Sequence, residues 1–343
     1  MTDDMIRVTM STALSLRAAI TRGALVSLAN WQVVVIDFVV ESLYKLAIAV
    51  PVFGGAFMVA VLLGADVTSL LGDGILSAAD RMLGPLGQAP IALGAFLASL
   101  GVVASVGAIL MFVAKGGTFA VLVAGERAAG ELQRPPLLRS GSLRSATMYS
   151  LATVLSAARH FRRRSVTLAI YLSGAYFLIC AGYLLIVGYG FQWAASAGWA
   201  QGWPILVVLA TSAGVIGLTA ANLVFDLLRV VVTNDDCRVS VAWRRVRTFL
   251  LADARQVLGI FGTMALVLMV AMVASITATA GLALVAWVPL AGLIVLPLQV
   301  AFWVARGLFF QCAGLTTLSA YQTQYRRYSS PRPAAVPLQA HEA

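Results

Sequence analysis

Long apolar stretches alternate with shorter polar ones along the chain, and the apolar stretches set the first expectation. Six of them, at 46–64, 91–114, 166–188, 204–225, 257–280 and 284–305, are uncharged and close to the roughly 20 residues that carry a helix across a hydrocarbon core. They are continuously apolar and lack the period-two alternation of barrel strands, and a helix satisfies its own backbone polar groups in lipid. The pattern therefore predicts an all-α polytopic membrane protein with about six transmembrane helices in three hairpins.

A stretch with amphipathic helical spacing precedes each hairpin. It is clearest at 238–255, where Val239, Ala242, Trp243, Val246, Phe249 and Leu250 make one stripe opposite Arg238, Arg244, Arg245, Arg247 and Asp253. At 144–164 the stripe is Met148, Leu151, Leu155, Ala158 and Phe161. Near 14–28 it is weaker, with Arg17, Thr21 and Arg22 on the polar side. Such helices are expected to lie in the cytoplasmic headgroup region. Small residues add a second periodicity, Gly94, Ala98, Gly101, Ser105 and Ala108 in the second span and Ala210, Gly214, Gly217 and Ala221 in the fourth, which suits close helix packing in lipid. Together the two patterns suggest a threefold repeat of amphipathic helix plus hairpin. The expected division is an interfacial segment at 1–45, a six-helix transmembrane domain at 46–325 and a disordered tail at 326–343. Residues 75–83 could add a short surface helix, and 131–144 reads as a linker.

Composition agrees: 60% of the 343 residues are hydrophobic and 11% charged, against about a quarter charged in a soluble domain. The net charge of +10 becomes informative once the basic residues are placed. Of 24 Lys and Arg, Arg81 alone falls in the segments expected outside, 65–90, 189–203 and 281–283. The positive-inside rule then puts both termini in the cytoplasm and the protein in the cell's inner membrane. Trp193, Trp199, Trp203 and Trp287 suit an interfacial belt. The first 30 residues carry Asp3, Asp4 and three arginines and lack the layout of a cleavable signal, so the chain is expected to be retained whole.

Few residues offer chemistry. Asp37, Glu41 and Lys45 share one helix face before the first span, either as an anchoring salt-bridged stripe or as a functional group of charges. Lys115, Asp226, Arg229 and Arg306 follow spans two, four and six, and with that face they could form a polar layer at the cytoplasmic edge; positive-inside anchoring explains the same placement. Arg159, Arg162, Arg163 and Arg164, with Arg244, Arg245 and Arg247, are candidate contacts for anionic lipid rather than for nucleic acid. Asp66, Asp73 and Asp80 supply too few oxygens for a hard cation. His160 and His341 lack partners at metal-site spacing, Cys180, Cys237 and Cys312 are far apart, and Gly116-Gly117 lacks the Walker spacing. No catalytic residue, metal or cofactor is therefore expected.

The stretch Lys115-Gly116-Gly117-Thr118-Phe119-Ala120-Val121-Leu122-Val123-Ala124-Gly125-Glu126-Arg127, together with Asp226 and Arg229 after the fourth span, resembles uncharacterised bacterial multi-pass inner-membrane proteins. The resemblance implies a bacterial inner-membrane location and no particular activity. Gly116 and Gly117 would permit a bend where the second helix leaves the bilayer, with 119–123 returning along the membrane face, but helix packing is the favoured reading of this segment. The function expected is that of a non-catalytic subunit or assembly scaffold binding lipids and protein partners. The alternative is a transporter of a lipid or another largely apolar small molecule.

Overall fold

The structure, a computed structural model, describes residues 15–62, 90–129, 144–198, 202–286 and 291–329. Among these the long elements are all helices: α1 (Leu16–Ala29), α2 (Trp31–Leu62), α3 (Pro90–Ala128), α4 (Leu151–Ser196), α5 (Trp203–Asp235), α6 (Val239–Ala286) and α7 (Ala291–Ser329). Five segments are long and apolar enough to cross a membrane, Ala98–Ala128, Leu151–Ala194, Trp203–Asp235, Val239–Leu282 and Val295–Ser329. They contain spans three, four and five whole, most of span two and half of span six. The first span, 46–64, begins within α2, and its last two residues lie outside the described residues. So do the acidic loop with Asp66, Asp73, Asp80 and Arg81, most of the 131–144 linker, Trp199, Trp287 and the N-terminal 14 residues.

The helices run further than the apolar stretches predict, for a simple reason. A helix propagates until something stops it, and these junctions contain little that would. Nothing between Arg164 and Val166 breaks a helix, so the expected surface helix and the third span are the single α4. Gly281, a lone glycine costing about 1 kcal/mol in a helix, does not turn the chain. The expected outer segment 281–283 is helical, and α6 continues to Ala286. The tail expected from residue 326 is likewise corrected, since α7 extends to Ser329. One expected junction does carry a break: inside α6, Asp253 has non-helical angles of φ −133° and ψ 31°, between the amphipathic part and the apolar part.

The chain divides into two compact units. The first contains Met1–Trp31, Leu122–Met148 and Leu223–Ala343, so its described part is α1, the end of α3, residues 144–148, α5 from Leu223 onwards, and α6 and α7. Here α1 packs along α7, α7 along α6, and α1 more lightly along α6. Close approach of α1 and α7 requires Gly23, where a Cβ would meet the Thr316 carbonyl oxygen at 2.6 Å and the Ala320 nitrogen at 2.9 Å. In α7 every residue from Leu318 to Tyr325 is buried. The expected polar side of α1 is corrected at one residue: Arg17 and Thr21 are exposed, but Arg22 is buried with Ala19 and Val26. The first amphipathic helix packs on the helices of the third hairpin.

The second unit comprises Gln32–Val121 and Tyr149–Asn222. Its interlock of α3 and α4 depends on Gly116 and Gly117, in keeping with the packing reading of that segment. The helix α3 continues through them without the bend they would permit. A Cβ on Gly116 would lie 2.6 Å from the Ser165 hydroxyl oxygen, and one on Gly117 would lie 2.5 Å from the Val154 carbonyl oxygen. The glycines are there for contact. Gly107 does the same against the Tyr44 ring on α2, and Gly190 against Trp203 and Leu206 on α5.

Candidate functional site

Charged groups are buried at the ends of the apolar helices in both units, and in each case geometry offsets the cost of burial. In the first unit the centre is Glu126, in the last turn of α3. Arg22 Nε donates to Glu126 Oε2 at 2.6 Å, with both side chains almost wholly buried, and Arg22 Nη2 donates to the Glu126 main-chain oxygen at 3.1 Å. Arg326 Nη1 donates to that same oxygen at 3.2 Å and lies 3.7 Å from Oε1, which also accepts from the Thr323 hydroxyl at 3.3 Å. The two arginines thus neutralise a carboxylate and cap a helix C-terminus whose carbonyls lack partners within the helix. A buried ion pair is tolerated only when its remaining lone pairs are satisfied in this way.

Residues 323–326 of α7 form a hub. Besides Thr323 and Arg326, the Gln324 amide donates to Asp253 at the break in α6, and the Tyr325 hydroxyl donates to Asp235 Oδ2 at 2.5 Å at the end of α5. Asp235 also accepts from Arg245 of α6 and from Asn234, while Arg127 Nη2 donates to the Asn234 carbonyl at 2.7 Å. Phe249 stands edge-on to Tyr325 with centroids 5.4 Å apart. Asn30, fully buried after α1, donates to the carbonyls of Val26 at 3.0 Å and Ala146 at 2.9 Å and accepts from the Met148 amide at 3.0 Å. Asp236, with φ +48°, makes the turn between α5 and α6.

The second unit brings together four of the residues singled out in the sequence. Lys115 Nζ lies 2.7 Å from Glu41 Oε2, and Lys45 Nζ lies 2.9 Å from Glu41 Oε1. Asp37, buried, accepts from the Thr118 hydroxyl at 2.7 Å. Asp226, Arg229 and Arg306 belong to the other unit. Arg22, Asp37 and Glu126 are buried, and all three lie outside the six expected spans. Within α4 and α5, two further polar pairs sit among apolar side chains, Tyr176 with Asn222 and Tyr183 with Thr211.

Of the candidate lipid contacts, Arg159, Arg162, Arg163, Arg244, Arg245 and Arg247 are exposed, and Arg164 lies over the Phe161 ring. Arg245 is the one engaged with Asp235. In the small-residue stripes, Ala98 and Ser105 are exposed and Gly101 has open space around it. Gly214 and Gly217 touch Tyr183 and Ile179 at ordinary distance, Ala210 and Ala221 are half-buried, and Gly94 lies among residues whose side chains are not described. Among the described residues no group of three His, Cys, Asp or Glu could hold a metal ion.

Sequence reasoning missed Asn30, Thr118, Asp235 and residues 323–326 as partners. The available signal was the acid at the end of an otherwise apolar helix, Glu126 in α3 and Asp235 in α5. A cleft of about 350 Å³ opens between α6 and α7, with Thr279 and Leu282 on one side and Gln299, Val300, Trp303 and Arg306 on the other. No protein-family model, curated protein or solved structure matches the chain.

Proposed function

We propose that the chain is a non-catalytic component of a bacterial inner membrane, a subunit or assembly scaffold whose helices meet lipid and partner proteins, with both termini cytoplasmic. One observation carries the reading: helices of membrane length present apolar side chains that the chain itself leaves uncovered. In α5 no residue of the most apolar 18-residue window is buried, and Ile205, Leu209 and Ile216 are among its large exposed side chains. Uncovered apolar surface on this scale needs lipid or protein against it. The charged groups support a structural role, since Arg22, Glu126, Asp235, Glu41 and Lys115 are engaged in holding helix ends together. The basic faces of α4 and α6, including Arg159, Arg162, Arg163, Arg244 and Arg247, would meet anionic headgroups.

The second reading, a carrier of a lipid or another largely apolar molecule, is favoured by the cleft between α6 and α7. Affinity purification of the full chain in mild detergent separates the two. The component reading expects a protein at fixed stoichiometry. A lone monomer that moves fluorescent lipid between leaflets after reconstitution would overturn it in favour of the carrier.

A further inference from the structure

Arg306 stands alone in charge. Between Arg255 and Arg326 it is the one Asp, Glu, Lys or Arg in the sequence. It lies 15 residues into α7, about 22 Å along the axis at 1.5 Å per residue. Among the described residues no carboxylate pairs with it; its guanidinium sits 5.7 Å from the centroid of the Phe310 ring. The neighbouring face of α7 carries Gln299 and Trp303, spaced so that they and Arg306 line one side of the cleft. Helical side chains lean towards the N-terminus, so Arg306 reaches back into the cleft between the apolar parts of α6 and α7. On the α6 side of the lining, the Thr279 hydroxyl donates to the Ser275 carbonyl at 2.8 Å, so the hydroxyl oxygen keeps its capacity to accept. The rest of the lining is apolar, from Leu282, Val300 and Phe302.

We propose that this cleft binds one anionic phospholipid, its phosphate held by Arg306 with Gln299 alongside and one acyl chain laid along Val300 and Leu282. The inference rests on the chain being membrane-embedded and adds a site and a ligand class to it. Charge complementarity carries it. A cation on a lipid-length helix without a protein counter-ion is costly unless an anion or water reaches it. A guanidinium offers planar paired donors that suit a phosphate, and the apolar floor suits a chain that no soluble anion possesses.

The test is native mass spectrometry of the full-length protein in mild detergent, titrated with palmitoyl-oleoyl phosphatidylglycerol or the matching phosphatidylcholine. Wild type should retain one phosphatidylglycerol in preference to phosphatidylcholine. Arg306→Gln should weaken that retention about tenfold, the loss of one charge-assisted contact. Arg306→Lys should fall between, and Arg17→Gln, on the exposed side of α1, should match wild type. If Arg306→Gln does not fold, Val300→Trp, which fills the apolar end of the cleft and keeps the charge, should weaken retention too. Equal retention by Arg306→Gln or, where that variant is unfolded, by Val300→Trp overturns the proposal. So does equal binding of phosphatidylcholine, or full displacement by millimolar inorganic phosphate, which would mark a plain anion site. Alkaline washing of membranes separates this outcome from failure of the membrane reading: a chain released by the wash defeats both, whereas a chain that stays while Arg306→Gln keeps its lipid defeats the site alone.

Discussion

Glu126 shows how a single side chain can hold several helices, because its carboxylate and its main-chain oxygen serve the same two arginines. Removing one member should expose how much depends on the arrangement. Arg22→Met leaves a buried carboxylate facing Arg326 at 3.7 Å, and the expected loss is about 3–5 kcal/mol, as for other broken buried pairs. Denaturant or thermal unfolding in detergent would read it. The double variant Arg22→Met with Glu126→Leu should recover most of that loss, since an apolar pair of similar volume often replaces a buried ion pair without cost. If the double variant is no more stable than Arg22→Met alone, the main-chain caps, and not the charge pair, hold the site. Gly23 gives a steric counterpart. Gly23→Val would drive a side chain into the Thr316 carbonyl, which cannot rotate aside, so α1 should detach from α7 and become open to limited proteolysis. Gly101→Ala, with nothing within 4 Å, should leave the protein unchanged in the same assay.

At the scale of the helix, α7 changes character along its length, and that change decides what could be read in advance. Its first half is an apolar run and was legible as a span. Its second half, through Leu318–Tyr325, mixes Ser, Thr, Gln and Tyr with Leu and Ala on every side and is buried all round. Such a helix has no stripe, so the pattern that finds amphipathic helices passes over it. The α1 stripe was legible, but the sequence does not say whether an apolar stripe meets lipid or another helix, and here it meets α7. Gly116 and Gly117 left both a bend and close packing open for a similar reason: glycine permits a turn and a close approach equally. Position alone cannot separate the two, whereas the neighbouring Ser165 and Val154 do. The break near residue 255 in α6 was legible, because the change from amphipathic to apolar pattern falls there. Tyr325→Phe tests the hub while keeping the ring that faces Phe249. It removes one half-buried hydrogen bond to Asp235, for an expected loss of about 1–2 kcal/mol in the same unfolding measurement. No measurable change would mean that Arg245 and Asn234 satisfy Asp235 without it.

For the molecule as a whole, the question is what covers the apolar sides of its long helices. Lipid and a partner protein make different demands on the same exposed residue. A lipid-facing position accepts a larger apolar side chain, because acyl chains move aside. A position in a packed protein interface does not, and overpacking there costs about 1–3 kcal/mol. Leu178 on α4, Ile216 on α5 and Met269 on α6 are all large and more than half exposed. Replacing each with Trp in turn should leave membrane integration intact, as judged by resistance to alkaline washing. If the chain is a component of an assembly, at least one of the three variants should lose its co-purifying partner. The helix carrying that residue is then the interface, and the other faces belong to lipid. If all three keep the partner, contact is made through the polar helix ends instead, where Trp243, Arg244 and Arg247 lie exposed on α6. Charge reversal at Arg244 and Arg247 would then be expected to release the partner while the buried Glu126 cluster keeps the fold. Loss of integration by any Trp variant would instead show that the face concerned packs against this chain's own helices, contrary to the exposure seen there.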